Sequence, residues 1–520
     1  MPRIRNKPLS FSTTMRNPER IASFLNCILP FENQILTNDI ILKILKNIIE
    51  KKLYKTNYEL RRYRDKYLDE EYNFTDSELN DIISNSPQNH KEAGFDKGWP
   101  SRFDTFYKLS KEFGFMYYEI GKPIIITSAG HMLIDAFNEI PCNDKKIRNI
   151  FLNSMMKYQI NNPYRRNANY NIPLVLLLQV IKLLKDDPEE NDAGVFKKEL
   201  SLFICWKDNN AESLYRKIKE IREKHGYNYS DEYMYDICLE ILDTDQRNYI
   251  KMEKVCGETI DEYIRKMRIT GVISLRGNGR FLDFNTLEMN KIDYILKTYT
   301  EIKTFDSLDD YTMYMGTVDP KILSSEEIEL SKLDKIKMDA LYKFSELYTK
   351  EQIFNELKVV SKTKESRDPI LRFINAPTRL EFLLSISLVQ NFKELKVFPN
   401  YPVDDEGLPT FTAGGDMADI LCKDEKYDST VEVTLACGRS VQVNNEIIPI
   451  RRHLLKLKET NDNVFSVFIA PKIHEDVYQV SLIYKLRENI DILAFDIEDI
   501  IEKFKSISEF KDLLRYKVVE

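Results

Sequence analysis

The stretch GGDMADILCKDEKYDSTVEVTLACG, residues 414–438, contains two short apolar runs joined by a polar turn. Such a pattern predicts a β-hairpin whose strands pack into a core. Each run nevertheless carries one carboxylate, Asp419 and Glu432, where a buried strand should carry none. The turn is long enough to let the two carboxylates converge. Converging acids have few stable arrangements: they bind a hard cation, share a proton, or face solvent as ordinary surface acids.

The composition describes a folded protein with no overall basic surface. A chain of 520 residues favours about three or four domains. Its 43% hydrophobic and 31% charged residues allow sizeable cores and exclude a disordered chain. The net charge of −7 means that any surface for nucleic acid must be local.

Cysteine usage and the absence of long apolar runs indicate the compartment. The seven cysteines are scattered without a C-x-x-C pair, which argues against a zinc site or a disulfide framework and is typical of a reducing compartment. The N-terminus lacks an apolar segment, and no run of about 18 apolar residues occurs. We therefore expect a cytoplasmic protein without a membrane partner.

Polar breaks divide the chain into blocks. They predict one subdomain over residues 1–160, a second over 161–305, a linker region over 306–335 and a C-terminal domain over 336–520. Each of the first two blocks contains a helix, a strand pair and a helix, the order of a winged helix-turn-helix; the strand pairs surround Gly121 and the Gly277-Asn278-Gly279 turn. Winged helices bind DNA or serve as packing modules, and the pattern alone does not choose between them.

The C-terminal block reads as α/β. It contains a long amphipathic helix over 333–360, a helix over 378–392, the quoted hairpin, a helix over 446–459, a strand over 464–473 and a last helix over 497–506. This order predicts a sandwich with acids at one sheet edge. The expected fold is thus multidomain, with an α-rich N-terminal half that holds two winged helix-turn-helix subdomains.

The D-x₁₂-E-V-T arrangement resembles the PD-(D/E)XK nuclease core, although Thr434 stands where that core has lysine. More specifically, the chain resembles the AlwI-type type IIS restriction endonucleases and the related large, strand-nicking subunits of heterodimeric enzymes. The segments that carry the resemblance are TTMRNPER (13–20), PTRLEFL (377–383), Asp419, VEVT (431–434) and the Glu446/His453 pair. It implies a recognition region of winged-helix subdomains, a linker and a C-terminal PD-(D/E)XK cleavage domain.

The resemblance also implies site residues. Asp419 and Glu432 would hold Mg²⁺ at the scissile phosphate, with the Val433 carbonyl as a further ligand. Oxygen ligands without a His or Cys cluster favour Mg²⁺ over zinc. Thr434 cannot replace the cationic lysine, so Glu446 and His453 are candidates for that task. Alternatively, His453 pairs with Glu446 or Glu459 and only pins its helix.

Four other residues have two interpretations each. Glu381 follows Thr378 in the spacing of a capping box, which is a structural explanation, yet the family places an acid here in the metal site. Asp416, in the loop before Asp419, is the rival metal ligand. Arg16 and Arg20 suit phosphate or guanine contact at a helix start, or are ordinary surface arginines.

These observations predict a sequence-specific, Mg²⁺-dependent DNA endonuclease. It would bind a short asymmetric site in double-stranded DNA and cut a few bases away. The resemblance implies a cognate methyltransferase, and cleavage of both strands would need a small catalytic subunit or transient self-association. One alternative is a winged-helix transcription regulator with a non-catalytic α/β dimerisation domain. A second alternative, an RNA or Holliday-junction nuclease, would give no role to the two winged helix-turn-helix subdomains.

Overall fold

The chain forms two compact units. A computed structural model describes residues 6–11, 13–139, 142–165, 169–190, 192, 194–247, 250–324, 330–415 and 417–516. The N-terminal unit comprises Met1–Arg62 and Phe74–Glu326, and the C-terminal unit comprises Tyr63–Asn73 and Glu327–Glu520. The short segment Tyr63–Asn73 therefore belongs to the unit that is otherwise C-terminal. No helix within the described ranges is long and apolar enough to cross a membrane.

The N-terminal unit is built mainly of helices. In chain order, with α4 of the C-terminal unit included, the helices of this half are α1 (Arg20–Ile28), α2 (Asn38–Glu50), α3 (Asn57–Arg62), α4 (Arg64–Leu68), α5 (Asp76–Ser84), α6 (Trp99–Glu112), α7 (Ser128–Asn138), α8 (Asp144–Lys157), α9 (Pro173–Asp186), α10 (Leu200–Cys205), α11 (Ala211–His225), α12 (Asp231–Ile241), α13 (Thr259–Arg268), α14 (Met289–Thr298), α15 (Leu308–Gly316) and α16 (Pro320–Leu323).

Two small antiparallel sheets lie among these helices. β1 (Met116–Tyr117) pairs with β2 (Ile125–Ile126), between α6 and α7. β3 (Val195–Phe196), β4 (Ile273–Arg276) and β5 (Phe281–Phe284) form a second sheet with β5 in the centre. The order helix, strand pair, helix is thus present in both expected places, and the winged-helix assignment stays a prediction.

The hairpin turn predicted at Gly277-Asn278-Gly279 is confirmed. All three residues have positive φ, at 58°, 57° and 78°, and Arg276 pairs with Phe281 across the turn. Glycine and asparagine tolerate this left-handed backbone region, which is why the local sequence was sufficient to predict the turn. The strand β3, which also pairs with β5, was not predicted because it is two residues long.

The C-terminal unit is a mixed five-stranded sheet with helices on both sides. Its remaining elements are α17 (Leu330–Leu347), α18 (Lys350–Ser361), α19 (Ala376–Asn391), β6 (Lys396–Pro399), β7 (Ile420–Lys423), β8 (Asp428–Val433), α20 (Ile448–Lys458), β9 (Val464–Ala470), α21 (Glu475–Glu488), β10 (Asp491–Asp496) and α22 (Ile497–Ser506). The helix expected over 333–360 is two helices, because Thr349 caps a new helix with its side chain.

The strand order is β10-β9-β8-β7-β6, in which β6, β7 and β8 are antiparallel and β8, β9 and β10 are parallel. The helix between β8 and β9, and the one between β9 and β10, are the crossovers that parallel neighbours require. Every residue of β9 is buried. The sheet centre is therefore covered on both faces, which suits its run of valine, isoleucine and phenylalanine.

Helices α20 and α21 cover one face of the sheet. Buried Ile450 and Leu454 of α20 join Phe468 of β9 and Ile492 of β10 in one apolar cluster. Phe465, three residues before Phe468 and so on the opposite face of β9, instead contacts the Phe510 ring, with the ring centres 5.6 Å apart. This packing fixes α20 beside β8, and so places one end of that helix next to the acids of the hairpin.

Candidate active site

A cavity of about 440 Å³ lies in the C-terminal unit beside the hairpin. Its lining contains the six leading candidates for catalysis or metal binding, namely Glu381, Asp419, Glu432, Val433, Glu446 and His453. Thr434 also lines the cavity. A space of this size admits a phosphodiester group together with its water.

Strand register places Asp419 opposite Glu432. Because Ile420 pairs with Val431, the residue before β7 faces Glu432 on β8. The Asp419 Oδ2 accepts the Val433 N–H at 2.7 Å, and the Glu432 Oε2 accepts the Asp419 N–H at 3.3 Å. The predicted hairpin is therefore confirmed, and each carboxylate binds the backbone of the opposite strand.

His453 contacts Glu432. Its Nδ1 lies 2.9 Å from the Glu432 Oε1, and the two side chains are 12% and 8% exposed. The alternative pairing with Glu446 or Glu459 is therefore wrong, since α20 packs beside β8 and brings the His453 ring to Glu432. A surface position for Glu432 on a solvated strand face is excluded by the same burial.

Glu381 points into the cavity and does not cap a helix. Helix α19 is capped by Asn375, whose side chain accepts the Ala376 N–H at 2.9 Å, so Thr378 lies inside the first turn. The capping-box interpretation is therefore wrong. Instead, the Glu381 Oε2 accepts the N–H of Ala413 at 3.0 Å, and the residue is 3% exposed.

Glu446 lies in a wide helical turn. Residues Val441–Ile447 form a π-helix that leads into α20, so the expected helix over 446–459 is regular only from Ile448. Glu446 is half-buried, and the nearby Thr434 hydroxyl partly offsets the effect of burial on its pKa. Thr434, at the lysine position of the nuclease core, thus lies beside one of the two residues considered as lysine substitutes.

Burial raises the pKa of all four acids, and repulsion from neighbouring acids adds to it for Glu381, Asp419 and Glu446. The pKa of Glu381 is raised to about 8, first by burial and then by Glu432. The pKa of Asp419 is raised well above its usual value by burial and by Glu381 and Glu432, and that of Glu446 by burial and Glu432. Burial also raises the pKa of Glu432, while His453 opposes this. A cation or protons must offset this crowding.

The carboxylates do not form a closed ligand cage. Across the part of the chain that the structure describes, no three His, Cys, Asp or Glu side chains are grouped as metal ligands. Asp419 and Glu432 each direct one carboxylate oxygen to a backbone N–H group. Asp416, the rival ligand, lies outside the described residues.

The sequence did not predict the part that Tyr63–Asn73 plays in this unit. The Glu70 Oε2 accepts the N–H groups of Cys437 and Gly438 at 2.8 and 2.7 Å, and Glu71 accepts that of Ser440. These N–H groups belong to the segment between β8 and the π-helix, which carries site residues at both of its ends. No local signal marks two glutamates as partners of a segment more than 360 residues away.

Arg16 and Arg20 lie in the N-terminal unit and do not line the cavity. Arg20 is the first residue of α1; its Nη2 donates to the Leu53 carbonyl at 2.5 Å, and its guanidinium lies 5.4 Å from the Phe24 ring centre. The segment around Arg16 is held by Lys266, whose buried Nζ donates to the Met15 and Arg16 carbonyls, both at 2.8 Å. Arg20 therefore has a structural task that the sequence did not reveal.

Comparison with known proteins identifies the family. The model of the AlwI restriction endonuclease matches residues 111–364 and 321–503. None of the curated proteins matches this chain. Among solved structures, the small subunit (R.BspD6I2) of the heterodimeric restriction endonuclease R.BspD6I is 20% identical, with 32% of this chain and 85% of that chain covered and a TM-score of 0.26.

Restriction endonuclease FokI is 11% identical over 98% of this chain and 97% of its own, with a TM-score of 0.26. Its DNA-bound structure is 10% identical over 99% and 97%, with a TM-score of 0.22. Likenesses of this size add nothing to the assignment, which rests on the family model and its coverage of most of the chain. This chain belongs to the AlwI restriction endonuclease family.

Proposed function

We propose that this protein is a sequence-specific, Mg²⁺-dependent DNA endonuclease of the type IIS kind. The observation that carries the proposal is the cavity in which Glu381, Asp419, Glu432 and Glu446 are crowded beside His453. A cluster of buried acids that repel one another lowers the stability of the fold, because each buried charge costs desolvation free energy. Without a function, such a cluster would be unfavourable. A regulator with a non-catalytic α/β domain gives no reason for such a cluster.

The donor set fits Mg²⁺ in chemical type. Carboxylate oxygens and a backbone carbonyl are the hard ligands that Mg²⁺ prefers. Asp419, Glu432 and the Val433 carbonyl would hold the ion, with Glu381 as a further ligand. When bound, Mg²⁺ would lower the pKa of a water molecule and stabilise charge on the phosphate oxygens.

The chain's own residues would position and deprotonate the attacking water. If the His453 Nδ1 donates its proton to Glu432, the Nε2 is left as an acceptor for a water proton. The carboxylate fixes the ring orientation, as acids commonly do for functional histidines. Glu446, which lines the same cavity beside Thr434, would hold the water from the other side. These two residues would then perform the task of the missing lysine.

In this proposal the N-terminal unit recognises DNA. Its helix and strand-pair segments would act as winged helices, and Arg16 and Arg20 would contact the duplex, while the C-terminal unit would be a PD-(D/E)XK cleavage domain. Cutting would occur a few bases from a short asymmetric site. A cognate methyltransferase would protect the host DNA. One active site hydrolyses one strand, so a double-strand break would need a small catalytic subunit or transient self-association.

Cleavage of supercoiled plasmid tests the proposal. The wild-type protein with Mg²⁺ should convert the plasmid to nicked or linear DNA, and chelation of Mg²⁺ should stop the reaction. Glu432→Gln keeps the size of the side chain but removes its charge, and we expect it to abolish cleavage without loss of DNA binding. The matched control is Glu425→Gln in the exposed β7–β8 turn, which should cleave like the wild type.

Two results would contradict the proposal. A wild-type protein that binds one DNA sequence but never cleaves it with Mg²⁺ would indicate a regulator. A Glu432→Gln variant that cleaves at the wild-type rate would show that the catalytic acid lies elsewhere. Sequencing of the cut ends would also reveal the site, the offset and the number of strands cut.

A further inference from the structure

A second cavity, of about 580 Å³, lies in the N-terminal unit and is unrelated to the acid site. One of its walls is a stripe along α6. Arg102, Thr105, Lys108 and Glu112 follow one another at helical spacing and share a face. The opposite face of α6 carries buried aromatic residues of the core. The cavity is thus built on a helix that cannot rotate without disrupting that core.

The cavity is rich in basic groups. Five lysine and arginine side chains line it, against two carboxylates; they are Lys7, Arg102, Lys108, Arg165 and Lys254, with Glu92 and Glu112 as the acids. This local excess of positive charge contrasts with the net charge of −7 for the chain. Because the chain as a whole is acidic, any surface that binds nucleic acid must be a local basic site of this kind.

Both acids are already paired. The Glu112 Oε2 accepts from the Arg165 Nε at 2.7 Å, and the Lys108 Nζ lies 3.4 Å from Glu92. The remaining positive charge belongs to Lys7, Arg102 and Lys254. Within the described ranges, no carboxylate lies at salt-bridge distance from any of these three.

Arg102 is held without an acid. Its Nη1 lies 2.9 Å from the His90 Nε2, and its guanidinium lies 4.7 Å from the Tyr54 ring centre and 4.8 Å from that of Phe106. Burial and the charge of Arg102 both lower the pKa of His90, so the imidazole is neutral and accepts this hydrogen bond. The Arg102 Nε and the His90 Nδ1 are then buried donors without a partner in the described part of the chain.

We propose that this cavity binds a phosphodiester of the DNA backbone. The inference rests on the proposed function, because the cavity would give the bound duplex a contact that does not depend on base sequence. Lysine and arginine side chains around a partly enclosed space are the usual partners of a DNA phosphate, and they position the protein without reading bases. The neighbouring stretch over residues 7–14 leads directly to Arg16, so both would contact one duplex.

The double variant Lys7→Gln/Lys254→Gln tests the proposal. Both side chains are exposed, so the substitutions should leave the fold intact. Binding of a duplex of random sequence is measured without Mg²⁺ at several salt concentrations. We expect affinity to fall on all sequences alike and the slope of log K against log salt to become shallower by about one, because one phosphate contact is lost.

The matched control is Lys217→Gln/Lys224→Gln on α11, where both lysines pair with Glu220 on the helix surface. It changes the net charge equally and should leave the slope unchanged. If the Lys7/Lys254 variant gave the same slope as this control, the proposal would be overturned.

Melting curves with inorganic phosphate test whether the cavity binds free phosphate instead of a DNA phosphate. A phosphate-induced stabilisation lost only in the Lys7/Lys254 variant, with an unchanged DNA slope, would assign the cavity to free phosphate and overturn the DNA contact.

The same measurements separate this inference from the proposed function. A wild-type protein that binds no duplex DNA contradicts the proposed function itself. A wild-type protein that binds and cleaves DNA, beside a Lys7/Lys254 variant with unchanged affinity and slope, contradicts only the phosphate cavity.

Discussion

At the scale of single residues, Glu432 connects the parts of the acid site. Its two carboxylate oxygens serve different partners, His453 and the backbone N–H of Asp419. Removal of the side chain would leave both partners unsatisfied in a buried place, which typically costs about 1–3 kcal/mol each. It would also relieve repulsion with Asp419 and Glu381. The amide of Glu432→Gln keeps one acceptor oxygen, so one of the two donors stays satisfied and the variant perturbs folding less than Glu432→Ala.

His453 gives a sharper prediction at this scale. If its imidazole accepts a proton from water, His453→Ala and His453→Asn should both lower the cleavage rate by about 10²–10⁴-fold. If the ring only positions Glu432, asparagine can still donate a hydrogen bond and should restore most of the rate. We expect equal loss in both variants, measured as single-turnover plasmid cleavage. Substantial rescue by asparagine would make His453 a positioning residue.

The two arginines of the N-terminal unit should differ from each other. We expect Arg16→Ala to weaken binding of the recognition site by about 1–3 kcal/mol if it reads a base, with relaxed preference at one base pair. Arg20→Ala also removes the hydrogen bond to the Leu53 carbonyl, so it should lower the stability of the N-terminal unit by about 1 kcal/mol. Titration of cognate and altered duplexes, with melting curves, distinguishes these effects. Wild-type affinity in both variants would show that residues other than Arg16 and Arg20 contact the DNA.

At the scale of elements, the segment between β8 and α20 is unusual. It leaves the sheet after Val433, donates backbone hydrogen bonds to Glu70 and Glu71, and enters α20 through a π-helix. A π-helix inserts an extra residue per turn and is frequent at functional sites. Here it contains Glu446, which lines the cavity with His453 of the following helix. Two acids from Tyr63–Asn73 therefore stabilise the conformation of a segment that carries the site.

A buried lysine ties two helices of the N-terminal unit together. Lys157, the last residue of α8, donates from Nζ to the Tyr314 and Thr317 carbonyls at the end of α15, at 3.1 and 2.6 Å. Burial lowers its pKa to about 8. Between this value and the usual 10.5, the unfolded chain binds a proton that the folded chain does not. The contribution of this group to stability therefore rises as pH increases through that window.

The pH dependence of Lys157→Met tests this reasoning. Methionine does not titrate, so the free energy of unfolding of the wild type, relative to the variant, should increase by on the order of 3 kcal/mol between pH 7 and pH 10.5. Urea unfolding at several pH values, followed through the transition of the N-terminal unit, measures the difference. A difference that does not change with pH would show that Lys157 keeps its proton when folded.

At the scale of the whole molecule, recognition and cleavage should be separable. We expect a fragment of residues 1–326 to fold, to bind its site with the specificity of the full chain and to lack cleavage. The reason is that the core of the N-terminal unit uses only Met1–Arg62 and Phe74–Glu326. Band-shift assays with cognate and random duplexes measure the specificity, and circular dichroism checks the fold. A folded fragment without sequence preference would contradict the two-part arrangement.

The reverse fragment, residues 327–520, serves as the control for the same idea. It contains the acid cavity but lacks Glu70 and Glu71, so the N–H groups of Cys437, Gly438 and Ser440 lose their acceptors. It should therefore be less stable than a version to which residues 63–73 are joined by a flexible linker. Equal melting temperatures would show that the segment contributes little to this unit.

Local sequence determined much of this protein. The two hairpins follow from apolar runs and turn residues that act over a few positions, and β9 follows from its continuous β-branched and aromatic run. The pairing of Asp419 with Glu432 also follows, because hairpin register is set by the residues of the turn. Motif order along the chain was enough to identify the family, since it does not depend on knowing how the elements pack.

Tertiary structure alone decided which of these residues meet. His453 reaches Glu432 because α20 packs on the sheet through Ile450 and Leu454, and spacing along a helix cannot reveal a partner on a strand. Glu381 faces the cavity because α19 begins at Asn375 and not at Thr378, a choice between two good caps that the local sequence leaves open. Glu70 and Glu71 join the C-terminal unit through contacts across most of the chain length. Such contacts depend on the packing of complete cores, a property of the whole fold that no short stretch of sequence contains.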